Sequence, residues 1–136
     1  MNQVGGQDEL VFDGSSFVIN SDQSLFLKCS SWTEEIVNLD FNIEVGFENV
    51  GDNYKKSVNA KDELEDIYSA LVLGLKDMLK NNFPGVILGL SGGIDSALCA
   101  AISVDALGSE KVKCFMLPFK YTSEQSLLMQ QSVQKI

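Results

Sequence analysis

The six residues Ser-Gly-Gly-Ile-Asp-Ser at positions 91–96 constrain the fold of this chain more than any other feature. They follow a short apolar run, residues 86–90, and precede a stretch rich in alanine and leucine. This order predicts a buried strand, a turn at the motif and then a helix. The first N–H groups of a helix have no partner inside it, and the helix dipole is positive at that end. The turn is therefore suited to binding an anion such as phosphate.

The side chains of the motif fit phosphate binding. Gly92 and Gly93 have no Cβ, so the backbone can approach an oxyanion closely, and Ser91 and Ser96 add hydroxyl donors. Asp95 would repel a bare phosphate, which indicates a divalent cation such as Mg²⁺ between the carboxylate and the phosphate. The alternative is an ordinary turn with a helix-capping serine or aspartate. Six specified positions in this context favour the phosphate loop, although no lysine follows the glycines as in the G-x-x-x-x-G-K-[ST] loop.

The composition of the chain limits its partners and its chemistry. The 136 residues hold 19 acidic and 10 basic side chains, for a net charge of −9, and every basic residue is lysine. A polyanion such as tRNA would be repelled by this charge, so no nucleic-acid partner is expected. Histidine and arginine are absent from the sequence. Any catalysis would therefore depend on backbone amides, serine, lysine, aspartate and a metal ion.

The cysteines and the hydrophobic pattern indicate a cytoplasmic protein. Cys29, Cys99 and Cys114 are odd in number and have no metal-binding spacing, so neither a zinc site nor a disulfide framework is expected. Cys99 and Cys114 fall in apolar segments, where packing in the core is the expected role. No leader peptide and no run of 18 apolar residues is found, so no membrane association is expected.

The C-terminal half alternates helices and strands. Residues 61–80 have apolar side chains at helical spacing, which predicts an amphipathic helix. A strand ending at Leu90, a helix from about Asp95 to Gly108 and a strand over Val112–Leu117 predict a right-handed unit with parallel strands. Residues 122–125 resemble a capping box that opens a further helix, and the chain ends within it, which suggests truncation.

The N-terminal half is predicted to consist of strands alone. Residues 10–20 and 24–29 are predicted to form two strands joined by a turn. Residues 37–47 alternate strictly between apolar and polar side chains, which predicts one half-buried strand. The polar residues 48–60 are predicted to link the two halves.

Two groups of motifs resemble a known family. The loop at 91–96 resembles the pyrophosphate-binding loop of the ATP-pyrophosphatases, and residues 5–17 resemble the late strands of a nitrilase-type glutaminase domain. Residues 65–108, followed by 116–126, look like the start of an NAD synthetase domain. This order is typical of glutamine-dependent NAD synthetases, and the resemblance covers nearly the whole chain.

The resemblance implies an α/β fold and a domain organisation. Residues 1–47 would be the C-terminal part of a nitrilase-like glutaminase domain, 48–60 a linker, and 61–136 the start of a doubly wound parallel sheet, like that of the adenine nucleotide alpha hydrolases. The implied reaction is the ATP-dependent amidation of deamido-NAD to NAD by glutamine-derived ammonia. It passes through an adenylylated intermediate and releases AMP and pyrophosphate. Members of the family are expected to form homo-oligomers.

The resemblance also implies roles for individual residues. Asp95 would hold Mg²⁺, and the backbone near Met116 and Leu117 would contact adenine. No catalytic residue is assigned, because Cys29 follows the strand at Gly14–Ser16 that the glutaminase nucleophile should precede, and the chain alone is expected to be inactive. The ATP phosphates would be held by Gly89, Leu90, Ser91, Gly92, Gly93, Ile94, Asp95 and Ser96.

Two alternative identities of the chain, and the role of one short segment, stay open from the sequence. The chain could belong to another ATP-pyrophosphatase such as GMP synthetase, although the nitrilase-like segment disfavours this reading. It could also be a non-catalytic remnant that binds nucleotide. Gln7, Asp8 and Glu9 are equally compatible with the border of a glutamine pocket and with a plain loop.

Overall fold

The computed structural model describes residues 1–50, 62–80, 83–116 and 128. These residues belong to two compact units, Met1–Ala70 and Leu71–Ile136. Each unit is described by itself below. The domain limits at residues 47 and 61 remain a prediction.

The described strands of the first unit form three separate antiparallel hairpins. Their bounds are β1 Val4–Gln7, β2 Leu10–Asp13, β3 Phe17–Ile19, β4 Leu25–Lys28, β5 Leu39–Asn42 and β6 Gly46–Val50. β1 pairs with β2, β3 with β4 and β5 with β6. Residues 48–50, which the sequence assigned to the linker, are therefore paired in β6, whereas 51–60 lie outside the described residues.

The prediction of one strand over residues 10–20 was wrong, because the chain changes partner at Gly14. The backbone has positive φ at Gly14 and Ser15, +77° and +46°. Before this point β2 pairs with β1, and after it β3 pairs with β4. The Ser15 and Ser31 hydroxyls, 2.7 Å apart, stabilise the break. β1 was not predicted because glycine, which is depleted in strands, occupies two of its four positions.

The single strand predicted over residues 37–47 was also wrong, since this segment is a hairpin. Asn42 pairs with Gly46, and the turn between them is closed by the Glu44 N–H, which donates to Asn42 Oδ1 at 2.8 Å. Gly46 has a φ of +95°, which glycine adopts without steric cost and which is common where a three-residue hairpin loop ends. Ile43, in the turn, is 93 % exposed. The alternation stayed in phase across the turn, so the pattern alone could not show the reversal.

Helix α1 spans Glu63–Leu79, close to the predicted 61–80. Three acidic side chains in its first turn complement the positive end of the helix dipole. The Trp32 indole N–H donates to Asp66 Oδ1 at 2.9 Å, and the Trp32 backbone N–H donates to the Asp13 carbonyl at 2.8 Å. These bonds tie the start of α1 to the strands of the first unit.

The second unit contains the predicted strand–helix–strand unit. β7 covers Val86–Leu90, helix α2 covers Ile94–Leu107, and β8 covers Val112–Met116. β7 and β8 are parallel, with Val86 opposite Val112 and Leu90 opposite Met116. Leu90, Ala100, Ser103 and Ala106 are buried here. The α/β fold class and the parallel pairing are thus confirmed.

The strand end at Leu117 and the capping box at 122–125 lie outside the described residues. Within the described part of the chain, no helix is long and apolar enough to cross a membrane.

Candidate functional site

The candidate site is the turn that joins β7 to α2. Residues 91–93 leave the carboxyl end of β7, and α2 begins at Ile94. Because β8 runs parallel to β7, its last residue, Met116, lies opposite Leu90 at the same edge of the sheet. Ligands of parallel α/β sheets bind at this edge. The structure therefore brings Met116 to the same end as the loop.

The backbone of the turn leaves the start of α2 open. Gly92 has a φ of +83°, a conformation that glycine adopts at no steric cost. Gly93 is the N-cap of α2, with φ −88° and ψ 157°, and no side chain caps the helix there. The first backbone hydrogen bond of α2 joins the Ala97 N–H to the Gly93 carbonyl at 3.3 Å. The N–H groups of the first turn are thus free of the side-chain cap that an ordinary helix start would favour.

The two serine hydroxyls of the motif bond to the loop itself. Ser96 Oγ donates to the Gly93 carbonyl at 2.9 Å and accepts the Ser91 N–H at 3.3 Å. Ser91 Oγ accepts the Gly93 N–H at 3.2 Å and lies 3.1 Å from Ser96 Oγ. From the sequence alone, both hydroxyls were expected to donate only to a ligand. The signal for the internal bonds is the position of Ser96 in the first turn of α2, from which side chains reach back to the preceding backbone.

The remaining positions of the motif differ in what they expose. The Leu90 side chain is 3 % exposed and belongs to the core, so only its backbone is available at the site. Gly89 and Asp95 are exposed, and Ile94 is 71 % exposed. Asp95 lies in the first turn of α2, beside the open N–H groups. A carboxylate there can reach a cation that an anion at the loop also contacts.

No group of three or more potential metal-ligating side chains occurs among the described residues. Asp95 would hold a metal ion together with oxygen atoms of a substrate. Mg²⁺ is commonly held in this way, by one or two carboxylates together with phosphate oxygens and water. The donor set is compatible with a cation that arrives with a nucleotide.

A second feature lies at the tip of the β1–β2 hairpin. Gln7, Asp8, Glu9, Leu10 and Phe12 line an open surface depression of about 530 Å³. The hairpin turns over Asp8 and Glu9, and Asp8 has a φ of +53°. Asp8 and Glu9 are thus turn residues, and Gln7 is the last residue of β1, beside the same depression. Their assignment to a glutamine pocket remains a prediction.

The three cysteines are free thiols. Cys99 is exposed, so its predicted packing in the core was wrong. The buried stripe of α2 runs through Ala100, Ser103 and Ala106, and Cys99 lies outside it. Burial, together with the nearby Glu35 carboxylate, raises the pKa of the Cys29 thiol. Cys29 therefore lacks the lowered pKa that activates a nucleophilic cysteine.

This difference predicts the order of thiol modification. At neutral pH, Cys99 should react with iodoacetamide about tenfold faster than Cys29, because only the thiolate attacks and the raised pKa of Cys29 keeps it protonated. Peptide mass spectrometry over a time course measures both rates. The Cys99→Ser variant, which leaves Cys29 in place, is the control and should lose the fast phase. Equal rates at the two positions would contradict the assigned environments.

Comparisons with known proteins agree with the fold. Residues 67–135, about half of the chain, match the NAD synthase family. Over 93 % of its length the chain is 47 % identical to the glutamine-dependent NAD(+) synthetases of Acinetobacter baylyi and Rhodobacter capsulatus. It covers 23 % of each, so it spans about a quarter of the length of these relatives.

A solved structure gives the same result. The chain resembles the glutamine-dependent NAD+ synthetase of Acinetobacter baumannii in complex with ADP, with a TM-score of 0.83 and 42 % sequence identity. The similarity covers 95 % of this chain and 24 % of that one.

Fold and motif together define an α/β protein built on a parallel strand–helix–strand unit with a serine- and glycine-rich loop at its carboxyl edge. The family match over half of the chain narrows this class. The chain belongs to the NAD synthase family. The resemblance to glutamine-dependent NAD synthetases drawn from the sequence is confirmed.

Proposed function

We propose that this chain carries the ATP-binding loop of a glutamine-dependent NAD synthetase. The reaction is the amidation of deamido-NAD to NAD. The carboxylate of the nicotinate ring attacks the α-phosphorus of ATP and pyrophosphate leaves. Ammonia derived from glutamine then attacks the adenylylated carbonyl and AMP leaves. The chain would serve the first step by holding the phosphates of ATP.

The observation that carries this proposal is the uncapped start of α2 at the end of β7. Gly92 and Gly93 bring the backbone within reach of an oxyanion, and Gly93, the N-cap residue, makes no side-chain cap to α2. Backbone amides at a helix N-terminus stabilise phosphate both by hydrogen bonding and by the helix dipole. Membership in the NAD synthase family supports ATP as the source of that phosphate.

The proposal assigns the predicted site residues as follows. Residues 89–96 hold the phosphates of ATP, Leu90 through its backbone and the exposed positions directly. Asp95 binds Mg²⁺ together with phosphate oxygens, and the ion neutralises the charge that would otherwise repel the phosphates. Met116, which lies opposite Leu90, contacts adenine through its backbone. Leu117 is assigned to the same contact and lies outside the described residues. The ADP in the Acinetobacter baumannii structure supports a nucleotide at such a site.

The remaining assignments concern the chain as a whole. Residues 1–47 come from a nitrilase-like glutaminase domain, 48–60 link the domains, and 61–136 begin the synthetase domain. The enzyme is a cytoplasmic homo-oligomer whose partners are small molecules: deamido-NAD, ATP, and glutamine or ammonia. The 136-residue chain alone forms no NAD, because it spans about a quarter of the length of its relatives.

Removal of the Asp95 carboxylate tests the metal. We expect Asp95→Asn to weaken the binding of ATP about tenfold or more in Mg²⁺, because the bridging ion loses its protein ligand. In EDTA the same change should leave ATP affinity unchanged or strengthen it, because a negative charge near the phosphates is removed. Isothermal titration calorimetry of the purified protein in the two buffers measures both affinities.

The matched control for this test is Glu110→Gln. Glu110 is an exposed carboxylate that precedes β8, at the opposite end of the parallel strands from the loop. The control removes the same charge and should change neither affinity by more than about twofold. An equal loss for Asp95→Asn with and without Mg²⁺ would show that the carboxylate does not act through a metal.

A further inference from the structure

Trp32 has a backbone conformation that a bulky residue rarely adopts. Its φ is +65°, in the left-handed region where the Cβ of any residue other than glycine is crowded. Such a conformation persists only where the surrounding structure holds it in place. The Trp32 backbone N–H donates to the Asp13 carbonyl at 2.8 Å, and the indole N–H donates to Asp66 Oδ1 at 2.9 Å. The strained residue is therefore held by two separate parts of the first unit.

The two acceptors lie at places where the position of the chain matters. Asp13 is the last residue of β2, next to the bridge between Gly14 and Ser31 at the break where the chain changes partner. Asp66 lies near the start of α1, 34 positions along the chain from Trp32. One strained residue thus connects the strand break to a helix that is distant in sequence.

Apolar packing contributes little to holding the start of α1. None of the side chains of α1 is buried, and Leu64 and Ile67, which flank Asp66, are 72 % and 52 % exposed. Trp32 and Asp66 are half-buried, so water competes less for the bond between them than it would for a bond on the open surface. This bond therefore carries much of the attachment of the first turns of α1.

We infer that Trp32 is a two-state latch that couples the docking of the start of α1 to the pairing of the chain at the strand break. In the closed state, the Asp66 carboxylate holds the indole and the backbone of Trp32 stays left-handed. A hydrogen bond to a charged acceptor stabilises by about as much as one strained bulky residue costs. Loss of the carboxylate therefore leaves the backbone able to relax.

In the open state, the φ of Trp32 returns to the extended region and its backbone N–H turns away from the Asp13 carbonyl. Detachment of α1 thus loosens the strand break, and loosening of the break frees the indole from α1. The latch involves neither the loop at 91–96 nor a nucleotide, so it goes beyond the proposed function and its test needs no ligand.

Amide exchange followed by NMR on the whole chain reads both ends of the latch. The amide of residue 32 reports the bond to Asp13, and the amide of residue 66, which bonds to the Asp62 carbonyl at 3.0 Å, reports the first turn of α1. Trp32→Phe keeps an aromatic ring and the strained backbone but removes the indole N–H. The protection factors of both amides should fall about fivefold or more, because local opening becomes easier at both ends.

Trp32→Gly separates the backbone strain from the indole bond. Glycine adopts a φ of +65° at no steric cost, so the backbone N–H can stay on the Asp13 carbonyl without help from α1. The amide of residue 66 should lose as much protection as in Trp32→Phe, whereas the amide of residue 32 should lose much less. Equal losses at residue 32 in the two variants would overturn the coupling through the strained backbone.

Asp66→Ala opens the latch from the other end and leaves Trp32 in place, so it decides the question even if Trp32→Phe does not fold. The amide of residue 32 should lose about as much protection as in Trp32→Phe, and the double variant should lose no more, because the two side chains act through one bond. Glu63→Gln is the control: it removes another carboxylate from the first turn of α1 and should change neither protection factor by more than about twofold. Unchanged protection of residue 32 in Asp66→Ala, or additive losses in the double variant, would overturn the latch.

Discussion

Valine in place of Gly93 should reduce the affinity of the protein for ATP more than any other single change in the loop, by about a hundredfold or more. A Cβ at residue 93 would lie 3.3 Å from Ser91 Oγ, closer than side chains normally approach. Valine adds two further methyl groups next to the open N–H groups of α2. These atoms displace the Ser91 hydroxyl and occupy space through which a phosphate must approach the backbone.

The fold itself should tolerate this change. The φ of −88° and ψ of 157° at Gly93 are extended values that a β-branched residue adopts readily. Calorimetry should therefore show lost ATP binding while the circular dichroism spectrum stays the same. Cys99→Val, which places the same side chain on an exposed position of α2, is the matched control and should bind ATP normally. Normal ATP affinity in Gly93→Val would show that the loop does not bind ATP.

Alanine in place of Gly85 should destabilise the second unit. A Cβ at this position would collide with the Lys111 carbonyl, a backbone atom that cannot move without shifting the start of β8. Overpacking of this kind costs about 1–3 kcal/mol of the free energy of unfolding. The melting temperature should fall by about 4–8 °C for each kcal/mol lost. Thermal unfolding followed by circular dichroism measures the change.

Gly89→Ala is the matched control for Gly85→Ala. Gly89 lies in the same segment, within β7, and a Cβ there would meet nothing within 4 Å. The control should be neutral or slightly stabilising, because alanine loses less backbone entropy than glycine on folding. Equal melting temperatures for the two variants would show that β7 and β8 do not approach as closely at residue 85 as the structure has them.

The second half of the chain could be predicted from its sequence because its local signals agree with one another. The apolar run of β7 ends at Leu90, the helical pattern of α2 ends just before Gly108, and both limits match the structure. Parallel pairing followed because a helix between two short apolar runs returns the chain to the same edge of the sheet. The location of the loop followed from the same three elements.

The first half could not be predicted in the same way. A period of two residues is preserved when a hairpin turn keeps the alternation in phase, so residues 37–47 have the same pattern as one strand. The break at Gly14 depends on pairing with distant residues, which the local sequence does not encode. The serine network of the loop escaped prediction for a related reason. A motif indicates which groups can donate, but only the three-dimensional arrangement shows where each proton is used.

The bond between Trp32 and Asp66 gives the protein a built-in optical reporter. Trp32 is the single tryptophan of the sequence, so the long-wavelength fluorescence of this chain comes from one indole ring. The ring N–H is donated to a carboxylate in the first turns of α1, 34 positions along the chain. The emission of an indole depends on its hydrogen bonding and on its contact with water. A shift in the wavelength of maximum emission would thus reveal, without any attached dye, the separation of the start of α1 from the segment that contains Trp32.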